Sequence, residues 1–403
     1  MASTWLTSRE AALQLGVSAA TLYAYVSRGL LRSEPLDGRR ERRYRADDVE
    51  RLKRQRKVGR KAESIASHAM DFGTPVLESN LTLIEGGRLY YRGADVTRLA
   101  RHASLEEVAR LLWDCGDAPF EPANLPAQSP TVRRAWLAAA ALAPVDRCLV
   151  LLPAAAALDH AAWVEDRAAM VQAGGRVLRL LTAAVTGRPA TAAAVHEQLA
   201  QAWGVAEHRK SLLRAALVLS ADHEFNASTF AARVVASTGA NVYGAVMAGL
   251  AALNGPKHGG LTRRVRALFD SLADVADIDA ELARRVRDRV YFPGFGHQLY
   301  PDGDIRAATL LAMLDEALPD SPAVARARAL GRAVERLIDR KPNVDFATVA
   351  LERALGLPPD SALALFLLGR TVGWVAHALE QAAHGGVIRP RARYGGPRPQ
   401  PAP

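Results

Sequence analysis

Gly294-Phe-Gly-His-Gln-Leu-Tyr-Pro-Asp-Gly-Asp-Ile-Arg306 sets a histidine beside Gly296 and ahead of a Pro301-Asp-Gly turn. Backbone free of bulky side chains there lets a ligand approach His297 closely. Two other stretches share this character. Asn254-Gly-Pro-Lys-His-Gly-Gly260 puts His258 between Pro256 and a glycine pair, just before a helical pattern through Val265 and Leu268. An imidazole at a helix N-terminus is disfavoured as a cation, so His258 is expected neutral and a donor. Pro342-Asn-Val-Asp-Phe346 surrounds Asp345 with Val344, Phe346 and Ala347. Desolvation in that setting raises proton affinity and makes a better base. One carboxylate and two histidines suit proton abstraction next to a carbonyl, with both carbonyls polarised. Arg306, Arg370 and Arg389 then supply planar forks for carboxylates. Taken singly, each histidine could be structural, and Arg370 could be a buried ion-pair partner.

The surrounding chain excludes other chemistry. No G-x-x-x-x-G-K-[ST], G-x-S-x-G, H-E-x-x-H or G-x-G-x-x-G occurs, and His196-Glu197 and His223-Glu224 each lack the second histidine of a zinc site. Length points to two or three domains, since 403 residues exceed one ordinary core. An apolar fraction of 49% with 23% charged residues fits a globular chain, and Ala and Leu with only 6% aromatics favour helix. Cys115 and Cys148 cannot form a disulfide framework. The first ten residues carry no apolar core of a secretory signal. The longest apolar run, Cys148 to Leu158, is too short for a bilayer and contains Pro153. A cytoplasmic location and no membrane contact are expected.

The ordered motifs resemble the citrate synthase family over roughly Pro75 to Gly395. They are Gly-Pro-x-His-Gly-Gly, Gly-Phe-Gly-His, Pro-Asn-Val-Asp-Phe, Arg-Thr-Val-Gly-Trp-x-Ala-His and Arg-Pro-Arg. Leu89-Tyr-Tyr-Arg-Gly-Ala-Asp and Ser104 to Trp113 look like the family's N-terminal region. The resemblance implies a mostly α fold, with large and small helical domains closing over the substrates of a homodimer. It implies that Asp345 removes a methyl proton from acetyl-CoA, that His258 bonds the thioester oxygen, and that His297 donates to the keto oxygen of oxaloacetate. His223, Arg306 and Arg370 would hold the oxaloacetate carboxylates, with Arg389 entering from the neighbouring subunit. Citryl-CoA is then hydrolysed. No cofactor or metal is implied, acetyl-CoA being a substrate. One departure is Gln298, where many members carry arginine after the second catalytic histidine; Lys257 is a candidate replacement for that cation.

The other departure is the N-terminus. Residues 1–61 hold 15 Lys/Arg against 7 Asp/Glu, whereas the rest holds 37 against 35. Nearly all of the net +10 therefore sits in one small segment, the footprint of a phosphate-binding module. Thr7-Ser-Arg-Glu10 is a capping box opening a helix with Ala11, Ala12 and Leu15 inward, up to Gly16. Ser18 caps a second helix, with Leu22 and Val26 on one face, ending at Gly29. Arg32 to Arg45 reads as a β-wing, and a third helix with Val49 and Leu52 begins near Ala46. This order resembles MerR/excisionase winged helix-turn-helix domains. Tyr23 and Arg28 on the second helix and Arg39, Arg40, Arg42 and Arg43 in the wing are the candidate DNA contacts. A module for protein contact is the alternative.

The expected domains are 1–61 winged helix-turn-helix, 62–260 and 356–395 large domain, 261–355 small domain, and a Pro-rich tail at 396–403. Two functional alternatives stand beside acetyl-CoA condensation: a 2-methylcitrate synthase using propionyl-CoA, and a DNA-binding regulator that senses a metabolite through its enzyme-like body. A pure sensor would need the clamp arginines but not Asp345.

Overall fold

The structure, a computed structural model, describes residues 5–15, 17, 21–22, 26, 31–35, 42–49, 77–392 and 394–397. The chain divides into two compact units, Met1–Glu78 and Ser79–Pro403. The division falls later than the boundary read after residue 61. Residues 50–76, including the expected linker from Arg54, lie outside the described residues.

In the first unit, β1 (Trp5–Thr7) leads into α1 (Ser8–Leu15), and β2 (Ser33–Pro35) is followed by β3 (Arg42–Arg45). The sheet is antiparallel in the order β1-β3-β2, with Glu34 opposite Arg43 and Leu6 opposite Tyr44. The capping box forms: Thr7 N donates to Glu10 Oε2 at 2.8 Å, and Glu10 N to Thr7 Oγ1 at 3.3 Å. Ala11, Leu15, Leu22, Leu31, Tyr44 and Val49 make a small buried core, with Ala12 and Val26 packed against it. β2 and β3 form the expected wing. Strand β1, too short to show a two-residue alternation, was not legible in the sequence.

The second unit opens with β4 (Thr82–Glu85), β5 (Arg88–Tyr91) and β6 (Ala94–Asp95), an antiparallel sheet in that order. Gly86 and Gly87, at φ of 56° and 73°, make the hairpin turn between β4 and β5. The helices that follow are α2 (Val96–His102), α3 (Leu105–Trp113), α4 (Pro130–Ala139), α5 (Pro144–Ala156), α6 (Arg167–Thr186), α7 (Val195–Trp203), α8 (Lys210–Leu219) and α9 (Ala227–Ala236). Then come α10 (Val242–Leu253), α11 (Leu261–Ser271), α12 (Ile278–Arg287), α13 (Ile305–Ala317), α14 (Pro322–Ile338), α15 (Val344–Ala354) and α16 (Ser361–His384). Helix α4 is begun by its Ser129 cap and Pro130 and ends at Ala139. Helix α7 is stopped by Gly204 in a left-handed cap.

Helix α16 is apolar all round because it runs through the core of this unit. It is long and apolar enough to cross a membrane, yet that window is wholly buried. It packs on α3, α6, α8, α9, α10 and α15. Gly369 and Gly373 allow its closest approach: a Cβ would lie 2.4 Å from Leu217 O and 2.4 Å from Ala221 O respectively. That approach brings α16 against the chain leaving α8, where His223 lies.

Candidate active site

Four loops, two helix starts and the interior of α16 build the site. The loop at 294–297 and the loop at 341–343 are tied as a short antiparallel bridge. Gly296 N donates to Lys341 O at 2.8 Å, Asn343 N to Gly294 O at 2.9 Å, and Asn343 Nδ2 to Gly296 O at 3.2 Å. Positive φ at Gly294 and Gly296 (87° and 76°) makes this crossing feasible. Asn343 also caps α15, accepting from Asp345 N at 3.1 Å. His297 and Asp345 are thereby held by one backbone clasp.

Asp345 stands in the first turn of α15. Its Oδ1 is buried without a hydrogen-bond partner among the described residues. Burial pushes the carboxyl up to about 7, with Arg306 and Arg370 opposing and Asp304 reinforcing the shift. Both histidines are held neutral. Burial, helped by Arg370 and Arg306, lowers His258 to about 4; burial, with Arg306, lowers His297 to about 4. His258 Nε2 lies 2.8 Å from Ser228 Oγ, which donates to Asn226 Oδ1 at 2.7 Å and accepts from Trp374 Nε1 at 3.2 Å.

The arginines differ. Arg306, at the start of α13, is buried and donates to both oxygens of Asp304, Nε to Oδ1 at 2.9 Å and Nη2 to Oδ2 at 2.8 Å. Burial pulls its pKa down, but Asp304 more than reverses this and the pKa stands above the ordinary value. Asp304 also accepts from Val344 N at 3.0 Å, so one carboxylate orients the arginine and the start of α15 together. Arg370, on α16, donates Nε to Ser220 O at 2.9 Å and stacks over Phe366 at 4.9 Å. Its Nη2 is buried with no partner among the described residues, and burial depresses the guanidinium to about 10. Among the described residues no carboxylate pairs with Arg370, and its buried Nη2 leaves a donor open to an anion.

His223 lies between these groups. Its Nε2 is 3.0 Å from Tyr300 Oη and its ring meets His297 edge-on at 5.0 Å. Burial, then Arg306, Arg370, His297 and His258, holds it well below the usual histidine range. The structure therefore brings together His223, His258, His297, Arg306, Arg370 and Asp345. Arg389 is not among them: it is exposed in the segment after α16. Gln298 and Lys257 are exposed as well.

Residues 70–391 match the family description "Citrate synthase, C-terminal domain". The chain belongs to the citrate synthase family. It is 32% identical over 367 residues to a citrate synthase of Haloferax volcanii, covering 80% of this chain and 94% of that one. A citrate synthase of Mycolicibacterium smegmatis is 31% identical over 346 residues, covering 77% and 90%. Among solved structures, the citrate synthase of Thermotoga maritima superposes with a TM-score of 0.70 at 27% identity, covering 83% of this chain and 98% of that one. A ternary complex of Thermoplasma acidophilum citrate synthase with carboxymethyl coenzyme A and oxaloacetate gives 0.70 at 25% identity, covering 82% and 96%. Residues 5–57 match a helix-turn-helix domain.

Within the citrate synthase-like site, sequence reading missed Ser228, Asp304, Tyr300 and Asp222, though Tyr300 and Asp304 lie inside the 294–306 stretch. Their roles are to orient other side chains, and spacing along the chain carries no mark of that. Of the DNA-contact candidates, Tyr23, Arg28, Arg39 and Arg40 lie outside the described residues. Arg42 and Arg43 sit on β3. Arg42 Nε donates to Ser33 Oγ at 2.9 Å, while Arg43 pairs with Glu34 at 3.3 Å and stacks over Trp5 at 5.0 Å.

Proposed function

We propose that this citrate synthase family member condenses acetyl-CoA with oxaloacetate, working as a cytoplasmic homodimer, and that residues 1–61 bind DNA. The observation that carries the enzymatic reading is the pairing of a buried anion-seeking Arg370 with a buried carboxyl at Asp345 whose pKa lies near neutrality. Arg306, Arg370 and His223 hold the oxaloacetate carboxylates, and Arg389 of a second subunit completes the clamp. The large domain, 62–260 with 356–395, and the small domain, 261–355, close over both substrates and exclude water.

Asp345 takes a methyl proton from the thioester as His258 donates a hydrogen bond to its oxygen. Ser228 Oγ carries one proton and lies 2.7 Å from Asn226 Oδ1 and 2.8 Å from His258 Nε2. Donation from His258 Nδ1 therefore requires that proton to turn from Asn226 to Nε2 while Ser228 accepts from Trp374. The enol carbon then bonds to the keto carbon of oxaloacetate, and the keto oxygen takes a proton delivered through His297. Water cleaves the thioester of the resulting citryl-CoA, releasing citrate and the CoA thiol, which draws the condensation forward. Resident metal or cofactor has no step in this scheme.

Release of free CoA from acetyl-CoA plus oxaloacetate tests the reading, with propionyl-CoA in parallel to test the 2-methylcitrate alternative. Oxaloacetate binding without CoA release from either thioester would favour the sensor reading, which the helix-turn-helix match at residues 5–57 keeps in view.

A further inference from the structure

Asp222 is wholly buried one residue before His223. Its Oδ2 accepts from Thr82 Oγ1 at 2.5 Å and lies 3.3 Å from His377 Nε2. The other nitrogen of His377, Nδ1, is 3.4 Å from Arg233 Nη1. A guanidinium can only donate, so Nδ1 accepts and the ring proton sits on Nε2, facing Asp222. Arg233 donates onward to Glu380 Oε2 at 2.5 Å and to Gln381 Oε1 at 2.7 Å. Glu380 Oε1 accepts from Asn80 N at 2.8 Å. Asn80 and Thr82 are two residues apart, so the chain of bonds closes on itself: Thr82, Asp222, His377, Arg233, Glu380, Asn80.

The ring grips the peptide that builds the oxo-acid end of the site. Asp222 N donates to Tyr91 Oη at 3.1 Å, Gly373 N to Ala221 O at 3.0 Å, and Arg370 Nε to Ser220 O at 2.9 Å. Segment 220–223 is thus fixed from the hairpin on one side and from α16 on the other. It carries His223 at one end and orients Arg370 from the other. Among the described residues Asp345 makes no bond to it, and His258 reaches it through two intermediates. Asn226 Nδ2 donates to His223 O at 3.3 Å, and Ser228 Oγ stands between Asn226 Oδ1 and His258 Nε2.

We propose that Asp222 is a positioning residue for the oxaloacetate end of the site, and that Thr82, in the strand opening the second unit, sets the orientation of its carboxylate. This rests on the assignment of His223 and Arg370 to oxaloacetate. Through the ring the strand Thr82–Glu85 acts first on affinity for oxaloacetate, the path to His258 being longer by Asn226 and Ser228.

Full-length Thr82→Val removes the hydroxyl donor at nearly constant volume, and Thr82→Ser returns it. The oxaloacetate KM from CoA release and the Kd from calorimetry should both rise about tenfold in Thr82→Val, as expected for losing a hydrogen bond to a buried carboxylate. The kcat and the acetyl-CoA KM should move less than about twofold, and Thr82→Ser should recover most of the loss. Should Thr82→Val fail to fold, Glu380→Gln weakens the opposite side of the ring and takes the same readouts. An unchanged oxaloacetate Kd, or equal rises for both substrates, overturns the proposal. Arg370→Lys run alongside separates the two levels. If it too leaves oxaloacetate binding unchanged, the site assignment itself fails; if it weakens binding while Thr82→Val does not, only the positioning role fails.

Discussion

The backbone N–H of Leu299 donates to Nδ1 of His297 at 3.2 Å. An acceptor Nδ1 in a neutral ring leaves the proton on Nε2, so His297 presents a donor at that atom. With its pKa near 4, this tautomer persists through the physiological range without a cationic competitor. His258 is neutral over the same range.

The pH profile of kcat/KM should accordingly show its acid limb near pH 7, set by Asp345, with no further histidine limb until about pH 4. The sign follows from the base needing its charged form: activity rises with pH through the raised pKa. A limb near the ordinary histidine value that survives in a variant with normal Asp345 titration would contradict the neutral-histidine assignment.

Asp345→Asn should lower condensation at least about a hundredfold while leaving oxaloacetate binding nearly intact. The same change should raise thermal stability, and more at pH 8 than at pH 5. A carboxyl whose folded pKa is raised contributes stability at low pH that is lost as pH climbs through about 7 and a buried charge forms. Melting curves at the two pH values, with CoA release on the same preparation, check both halves.

Arg370→Lys should raise the oxaloacetate KM about tenfold or more, and the acetyl-CoA KM far less. A point charge cannot reproduce the two-bond planar fork that the unpartnered Nη2 leaves available. Equal effects on both substrates would indicate a general structural role.

Gly373→Ala should destabilise the protein by about 1–3 kcal/mol, the usual cost of overpacking. The added Cβ would sit 2.4 Å from Ala221 O and 2.5 Å from Asp222 Oδ1, and backbone cannot step aside cheaply. Because that backbone belongs to the His223 peptide, denaturant midpoints and oxaloacetate affinity should fall together.

Removing residues 1–61 should abolish DNA affinity and spare CoA release, since the deletion takes away 8 of the 10 net positive charges. Binding by the full chain should weaken steeply as salt rises, in proportion to the phosphates neutralised. Arg43, already paired with Glu34 and stacked on Trp5, should contribute less to that slope than a free wing arginine would. Mobility-shift titrations of the full chain, the shortened chain and Arg43→Ala at two salt concentrations read the DNA outcomes, and CoA release on the same preparations reads the enzymatic one. Undiminished binding by the shortened chain would place the DNA contact elsewhere.

Local features are what the sequence alone determined. The Thr7–Glu10 capping box, the Gly86-Gly87 hairpin and the helix Arg167–Thr186 each depend on neighbours within a few residues, so their chemistry is written in order along the chain. The glycine-rich stretches around His258 and His297 and the apolar setting of Asp345 were legible for the same reason. Tertiary structure decided what those groups became. Whether Arg370 would meet a carboxylate or stand unpaired depended on which backbone α16 packs against, 150 residues away in Ser220. Arg306 proved to share its charge with Asp304, and Ser228 and Leu299 came to govern the two histidines. Burial and hydrogen bonding among distant segments set charge and tautomer, because desolvation acts through all the atoms that surround a group and not through those that precede it in the chain.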